Sequence, residues 1–176
     1  MRHASRPGMG PAPRRILGID PGSRVTGYGV IESDGSRSRH LVSGCVRTRG
    51  AVFNDRLGEI FSAIRDLLAE TRPEQVAVEQ VFMAKNAGSA LKLGHARGAA
   101  ITAAVVAGLP IYEYSPRAVK QALVGSGGAE KGQVQQMVRL LLGLEAELAL
   151  DQSDALAVAL CHAHNHTTRS RLVHRS

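Results

Sequence analysis

Apolar residues along this chain change their spacing in a way that marks out successive elements. A compact run, Ile16-Leu-Gly-Ile19, follows Arg15, ends on Asp20 and is cut off by Pro21-Gly22, which predicts a short buried strand closed by a turn. Val25–Glu32 is strand-like, with Thr26, Tyr28 and Val30 alternating against Val25, Gly27, Gly29 and Ile31, Ser33–Ser38 is a polar turn, and Arg39–Thr48 alternates again with Val42 and Val46 on one face. Together these stretches predict a three-stranded antiparallel meander. From Phe53 the period lengthens: Leu57, Ile60, Phe61, Ile64, Leu67 and Leu68 form one helical stripe that must stop before Pro73.

Glu74–Gln80 is a further short strand. The helix between it and the meander forms a crossover, which lays this strand parallel to the first. Residues 86–108 read as a helix whose Ala96–Ala107 segment is apolar almost all round, so that it is expected to be covered on most sides. Ile111–Tyr114 is another strand, Ser115 and Pro116 cap a short helix, and Gly125–Gly128 is a loop. Val134, Met137, Val138, Leu141 and Leu142 form the stripe of the next helix, and Asp154–His162 belongs to a last, strongly apolar one. The predicted architecture is α/β: a mixed five-stranded sheet flanked by helices.

Length and composition leave room for one such domain, since 176 residues with 44% hydrophobic content bury one sizeable core. The net charge of +7 suggests nucleic acid until it is located. Arg2, Arg6, Arg14 and Arg15 precede the first strand and Arg169, Arg171 and Arg175 lie at the end, which accounts for the whole excess. Inside the domain, Gln80–Leu140 carries Lys85, Lys92, Arg97, Arg117, Lys120, Lys131 and Arg139 against only Glu113 and Glu130. That local excess is the more telling sign.

Residues 1–14 contain no apolar core of a secretory signal and are expected to form a disordered extension. Residues 15–166 form the expected domain and 167–176 a flexible basic tail. Cys45 and Cys161 are too few for a disulfide framework, so the expected compartment is the cytoplasm. His162, His164 and His166 read as a solvated helix end in preference to a metal cluster.

Candidate chemistry rests on acids at element ends. Asp20 ends the first strand, Glu79 ends the strand placed beside it, and Asp151 and Asp154 stand three apart at the start of the last helix. Carboxylates converging from separate elements repel one another unless they share a cation, and an all-oxygen set suits Mg²⁺ or Mn²⁺. Two such ions, about 4 Å apart, activate a water and stabilise the leaving oxygen in phosphodiester hydrolysis. Each acid also has a plain structural reading: Asp20 as a turn initiator, Glu79 as a solvated edge, Asp151 with Asp154 as a helix cap and its first-turn acid.

Longer strings narrow the choice. Gly18-Ile-Asp-Pro-Gly-Ser-Arg-Val-Thr-Gly-Tyr-Gly29, Val78-Glu-Gln-Val-Phe-Met-Ala-Lys-Asn86, Ser89-Ala-Leu-Lys-Leu-Gly94 and Ala96-Arg-Gly98 are closely similar to the RuvC family of bacterial Holliday-junction endonucleases. Val119-Lys-Gln, Ala129-Glu-Lys131 and Asp151-x-x-Asp-Ala-Leu-Ala157 continue the likeness, which spans residues 15–164. The resemblance implies a ribonuclease-H-like fold, a homodimer, and Mg²⁺-dependent paired nicking of a four-way DNA junction, with 5′-phosphate and 3′-hydroxyl ends. It implies that Asp20, Glu79, Asp151 and Asp154 are the metal-binding catalytic acids, with Mn²⁺ able to replace Mg²⁺ at two sites.

It also implies that Lys120 and Lys131 contact DNA, that Phe82 stacks on a base, and that the RuvA and RuvB branch-migration proteins are partners. Lys85 and Arg117 add to the same basic track. A ring at Phe82 also fits the edge of a core, and scattered basic residues also fit a solvated face. Gln152-Ser153 departs from the small, Ala-rich pair that the resemblance leads one to expect. Two other readings remain open here: an ATPase of the actin and sugar-kinase type, suggested by Gly-Ile-Asp-Pro-Gly-Ser, and a non-catalytic junction-binding module.

Overall fold

A computed structural model describes residues 12–80 and 86–173, with side chains as far as residue 165. Phe82 and Lys85 lie outside the described residues, as do 1–11 and 174–176. The elements are β1 (Arg14–Asp20), β2 (Val25–Ser33), β3 (Ser38–Arg47), α1 (Phe53–Thr71), β4 (Gln75–Glu79), α2 (Ala87–Val106), β5 (Ile111–Tyr114), α3 (Pro116–Val124), α4 (Lys131–Leu142) and α5 (Leu150–Val173). β1 starts one residue ahead of the expected domain boundary. The boundary expected at 166 falls inside α5.

The five strands form one mixed sheet in the order β3-β2-β1-β4-β5. β1 pairs antiparallel with β2 and parallel with β4, as the crossover through α1 requires. Strand alternation then sorts the side chains between two layers. Leu17, Ile19, Val30, Val76 and Val78 face α1 and α2, while Ile16, Ile31 and Ala77 face α3, α4 and α5. By the same alternation Gly18 and Asp20 of β1, Gly27 and Gly29 of β2, and Glu79 of β4 all belong to the α5 side.

Helix α5 explains why its sequence shows so little amphipathicity. From Ala155 to Cys161 every side chain is buried, against the sheet beneath and α3 and α4 beside it. Each fully buried Leu or Val there contributes about 1.5–3 kcal/mol. The helix ends also follow from the sequence: Ser115 Oγ accepts from the Ala118 amide with Pro116 in the first turn, and α1 stops before Pro73.

Two expectations need correction. Ala96, Ala100, Ala103 and Ala104 of α2 are buried, but Leu91, Val105 and Val106 remain 61%, 59% and 73% exposed. The helix is covered along one stripe, and among the described residues nothing covers the rest. His162 is the second case, being core and not a solvated end, at 1% exposure. Its Nδ1 bonds Tyr114 Oη at 2.7 Å, its Nε2 bonds Gln75 Oε1 at 2.9 Å, and its ring lies 4.4 Å from that of Tyr112. A buried imidazole is tolerable because both nitrogens are satisfied.

Candidate active site

The four acids come from three parts of the chain, and strand register starts the assembly. Ile19 pairs with Val78, so the next residues, Asp20 and Glu79, stand side by side at the carboxyl ends of parallel neighbours. Pro21 follows at once and ends β1. Asp20 also lies opposite Gly27 of the antiparallel neighbour.

Gly27 is where the helix meets the sheet. A methyl group built on Gly27 would lie 1.9 Å from the carbonyl oxygen of Asp151, and one on Gly18 would lie 2.0 Å from that of Ala155. On Gly29 it would reach 2.5 Å from the Leu156 side chain. Three strand glycines facing one helix therefore let α5 settle against the bare backbone of β1 and β2. The consequence is that the first turn of α5, carrying Asp151 and Asp154, rests over the strand ends that carry Asp20 and Glu79.

That turn begins at Leu150, so Asp151 sits inside the helix and is not its cap. Gln152 does part of the capping: its Oε1 accepts from the Ala149 amide at 3.2 Å. Its Nε2 donates to Ser43 Oγ at 2.8 Å, and Ser43 Oγ bonds His40 Nε2 at 2.7 Å. The unexpected residue between the two aspartates thus ties the acid-bearing turn to β3. Sequence reasoning missed Gln152, Ser43 and His40 as neighbours of the site. The one available signal was a long polar side chain where a small one was expected.

Crowding of carboxylates shows in their proton affinity. Asp20 is pushed up to about 8, first by burial and then by the charges of Glu79 and Asp154, a hydrogen bond with Glu79, and the charge of Asp151. Glu79 is raised as well, by burial and by Asp154, against the opposing pull of its bond to Asp20 and of Lys131 and Lys120. Buried and crowded by like charge, both carboxyls hold a proton more tightly than free ones do. Among the described residues no three His, Cys, Asp or Glu side chains already stand in ligand positions around one point. Nevertheless the donor set fits a hard divalent cation, because it is entirely carboxylate oxygen and because unrelieved like charge helps to raise these two groups. Asp20, Glu79, Asp151 and Asp154 are the residues able to hold one.

Basic residues flank the acids on the α3 and α4 side. Lys131 Nζ lies 3.2 Å from Asp154 Oδ2, with the lysine side chain 64% and the aspartate side chain 19% exposed. Burial works to lower Lys131, but Asp154, Asp20 and Glu79 outweigh it and the ammonium is held above its usual range. Glu79, Lys120, Lys131, Asp154 and Pro116 line a cleft of about 190 Å³ that opens beside the acids. Arg117 stands on the first turn of α3 outside that lining, and its side chain packs on Gly127.

On the other flank Cys45 senses the same cluster. Burial first, then the charge of Asp151, and more weakly that of Asp20, raise its thiol, while Arg47 lowers it. Cys45 therefore records both the acids and an arginine on the β3 side. Buried Cys161 is pushed up to about 12 by burial and plays no part in the cleft.

Comparison with known proteins gives this geometry a context. The family model described as crossover junction endodeoxyribonuclease RuvC matches residues 16–162. A protein of that name from Alkalilimnicola ehrlichii is 60% identical over 158 residues, covering 90% of this chain and 96% of the relative. Another, from Methylococcus capsulatus, is 58% identical over 158 residues, covering 90% and 95%. Among solved structures, Thermus thermophilus RuvC in complex with Holliday junction substrate superposes with a TM-score of 0.84 at 39% identity, covering 89% of this chain and 97% of that one. A yeast mitochondrial Holliday junction resolvase, at 12% identity and a TM-score of 0.66, shares the fold alone. The mixed sheet and its helices are ribonuclease-H-like, as expected.

Proposed function

We propose, from the premise that this chain belongs to the RuvC family of crossover junction endodeoxyribonucleases, that it resolves four-way DNA junctions by metal-dependent hydrolysis. The observation that carries the proposal is the convergence of Asp20, Glu79, Asp151 and Asp154 beside the lysine-lined cleft. This is a nuclease, and the finer statements concern how it cuts.

Asp20, Glu79, Asp151 and Asp154 would hold two Mg²⁺ ions, with Mn²⁺ able to take their place. When bound, the ions supply an acidified water and neutralise charge at the leaving oxygen. The chain's own part begins with Asp20 and Glu79, whose raised proton affinity means that a metal ion would bind there in competition with protons. Lys131 already pairs with Asp154 from the cleft side, and with Lys120 it presents positive charge to the DNA backbone. Water adds hydroxide to phosphorus, the P–O3′ bond breaks, and O3′ takes a proton. The products carry a 5′-phosphate and a 3′-hydroxyl.

Paired, symmetric nicks call for two such sites related by a two-fold axis. The exposed side of α2 supports a homodimer. Leu91, Val105 and Val106 are uncovered there, and methyl groups on Gly94 or Gly98 would meet nothing within 4 Å. The small residues are therefore not demanded by packing among the described residues, and they permit a second helix to approach closely. Partnership with RuvA and RuvB and a cytoplasmic location complete the proposal on the family's likeness. No helix among the described residues is long and apolar enough to cross a membrane.

A synthetic four-way junction and a linear duplex, each incubated with the protein in Mg²⁺ and in EDTA, test the reading. Expected are paired nicks in the junction alone, only with Mg²⁺, that ligase reseals. Equal cutting of both substrates, or cutting that survives EDTA, overturns it.

A further inference from the structure

The basic track beside the acids lies on one flank, at Lys120 and Lys131. The opposite flank carries another set of cations with no role in that cleft. Arg47 ends β3 and pairs with Val25 at the start of β2. It has the same strand parity as Ser43 and Cys45, which reach the first turn of α5, so its side chain belongs to the face that carries the acids. Two strand spacings across and two residues along place its Cα about 12 Å from that of Asp20. Arg24 and Arg49 are its neighbours, and all three are exposed.

This rim is built, not loose. The Thr48 amide donates to the Arg24 carbonyl at 3.0 Å, joining the two ends. The Arg49 and Gly50 amides each donate to the Glu59 carboxylate at 2.7 Å, and Arg56 Nε donates to the Gly50 carbonyl at 2.7 Å. A methyl on Gly50 would lie 2.9 Å from Asp55 Cβ, so the turn folds tightly onto α1. The backbone is pinned while, among the described residues, no hydrogen bond or ion pair engages the guanidinium groups of Arg24, Arg47 and Arg49. Among the described residues the ion pairs engage Arg15, Arg39, Arg65, Arg97 and Lys131, and leave Arg24, Arg47 and Arg49 out.

Exposed arginines outside these ion pairs, with Arg47 on the acid-bearing face and Arg24 and Arg49 beside it at the strand ends, suit phosphate oxygens, which a guanidinium binds in a two-pronged fashion. We propose that Arg47, with Arg24 and Arg49, forms a second phosphate-binding rim, so that the DNA strand entering the acid cluster is gripped from both sides. The inference rests on the nuclease reading for its catalytic meaning. The rim's role is positional: it sets the strand's path across the acids and carries no base specificity.

Binding of a synthetic four-way junction in EDTA, followed by fluorescence anisotropy across a salt series, isolates the rim from catalysis. The triple variant R24A/R47A/R49A is expected to flatten the slope of log K against log salt by about 2–3 for each protomer bound to the junction, since each phosphate left without its arginine removes about 0.9. R24K/R47K/R49K keeps the charge and is expected to retain the slope. A triple alanine variant that melts like the parent yet shows a slope change below about 0.9 per protomer, the value for a single phosphate, overturns the rim. Because this arm needs no metal, it stands or falls independently of nicking. A parent protein that fails to nick the junction in Mg²⁺ sinks the nuclease reading and leaves the slope result standing.

Discussion

Gly27→Ala probes how the site is held together. The added methyl would stand 1.9 Å from the Asp151 carbonyl oxygen and 2.4 Å from its carbonyl carbon, both main-chain atoms that cannot swing aside. Restoring even a tight contact of about 3 Å requires the first turn of α5, or the strand below it, to shift by about 1 Å. Overpacking of this kind costs about 1–3 kcal/mol of stability. The larger effect falls on chemistry, because Asp151 and Asp154 ride on the displaced turn while Asp20 and Glu79 stay on the strands. A misplacement of about 1 Å costs roughly 100-fold in rate. Urea unfolding and single-turnover junction nicking in saturating Mg²⁺ measure the two effects, with Gly58→Ala as the control, since a methyl there meets nothing within 4 Å. A folded Gly27→Ala protein that nicks within a few-fold of the parent would refute the idea that glycine contact sets the position of the helical acids.

Three further outcomes rest on other parts of the molecule. His162→Leu removes the bonds to Tyr114 and Gln75 inside the core and is expected to lower stability by about 2–3 kcal/mol in urea unfolding; an unchanged midpoint would show that the network contributes nothing. Gln152→Ala should cost about 1–2 kcal/mol and raise the Mg²⁺ concentration for half-maximal nicking, because the acid-bearing turn loses its ties to Ala149 and Ser43. Unaltered Mg²⁺ activation would mean that the ties do not position Asp151. As for pH, Asp20 has a higher proton affinity folded than unfolded, so in EDTA its contribution to stability falls as pH rises from the ordinary 3.8 to about 8. Thermal melting is then expected to show a larger stabilisation by Mg²⁺ at pH 8 than at pH 6, and a shift independent of pH would contradict it.

Much of this architecture is legible from spacing alone. The strand end at Asp20 follows from a short apolar run closed by Pro21-Gly22, Glu79 lies at the end of a second short apolar run, and the parallel pairing that sets them side by side follows from one crossover. The glycine contacts are harder to see. Gly18, Gly27 and Gly29 look like weak points in strands, and only the docking of α5 shows that they are a bed for a helix. Arg47, Cys45 and Ser43 are hidden for a related reason: the face they occupy is decided by which side α5 covers. His162 reads as solvated because a histidine near a chain end usually meets water. Tyr114 and Gln75, 48 and 87 residues away, are what make it core. The apolar run of α2 shows that covering surface is needed, but says nothing about whether it lies within the chain.

In the proposed function four carboxylates act together to cut a junction that the rest of the surface binds. Asp20→Asn tests it most directly, replacing one carboxylate of the cluster with almost no change of shape. Junction affinity in EDTA and nicking in Mg²⁺ are measured on the same preparation. Affinity close to that of the parent, with nicking abolished, is the expected result. A variant that still nicks the junction at the parental rate would contradict it.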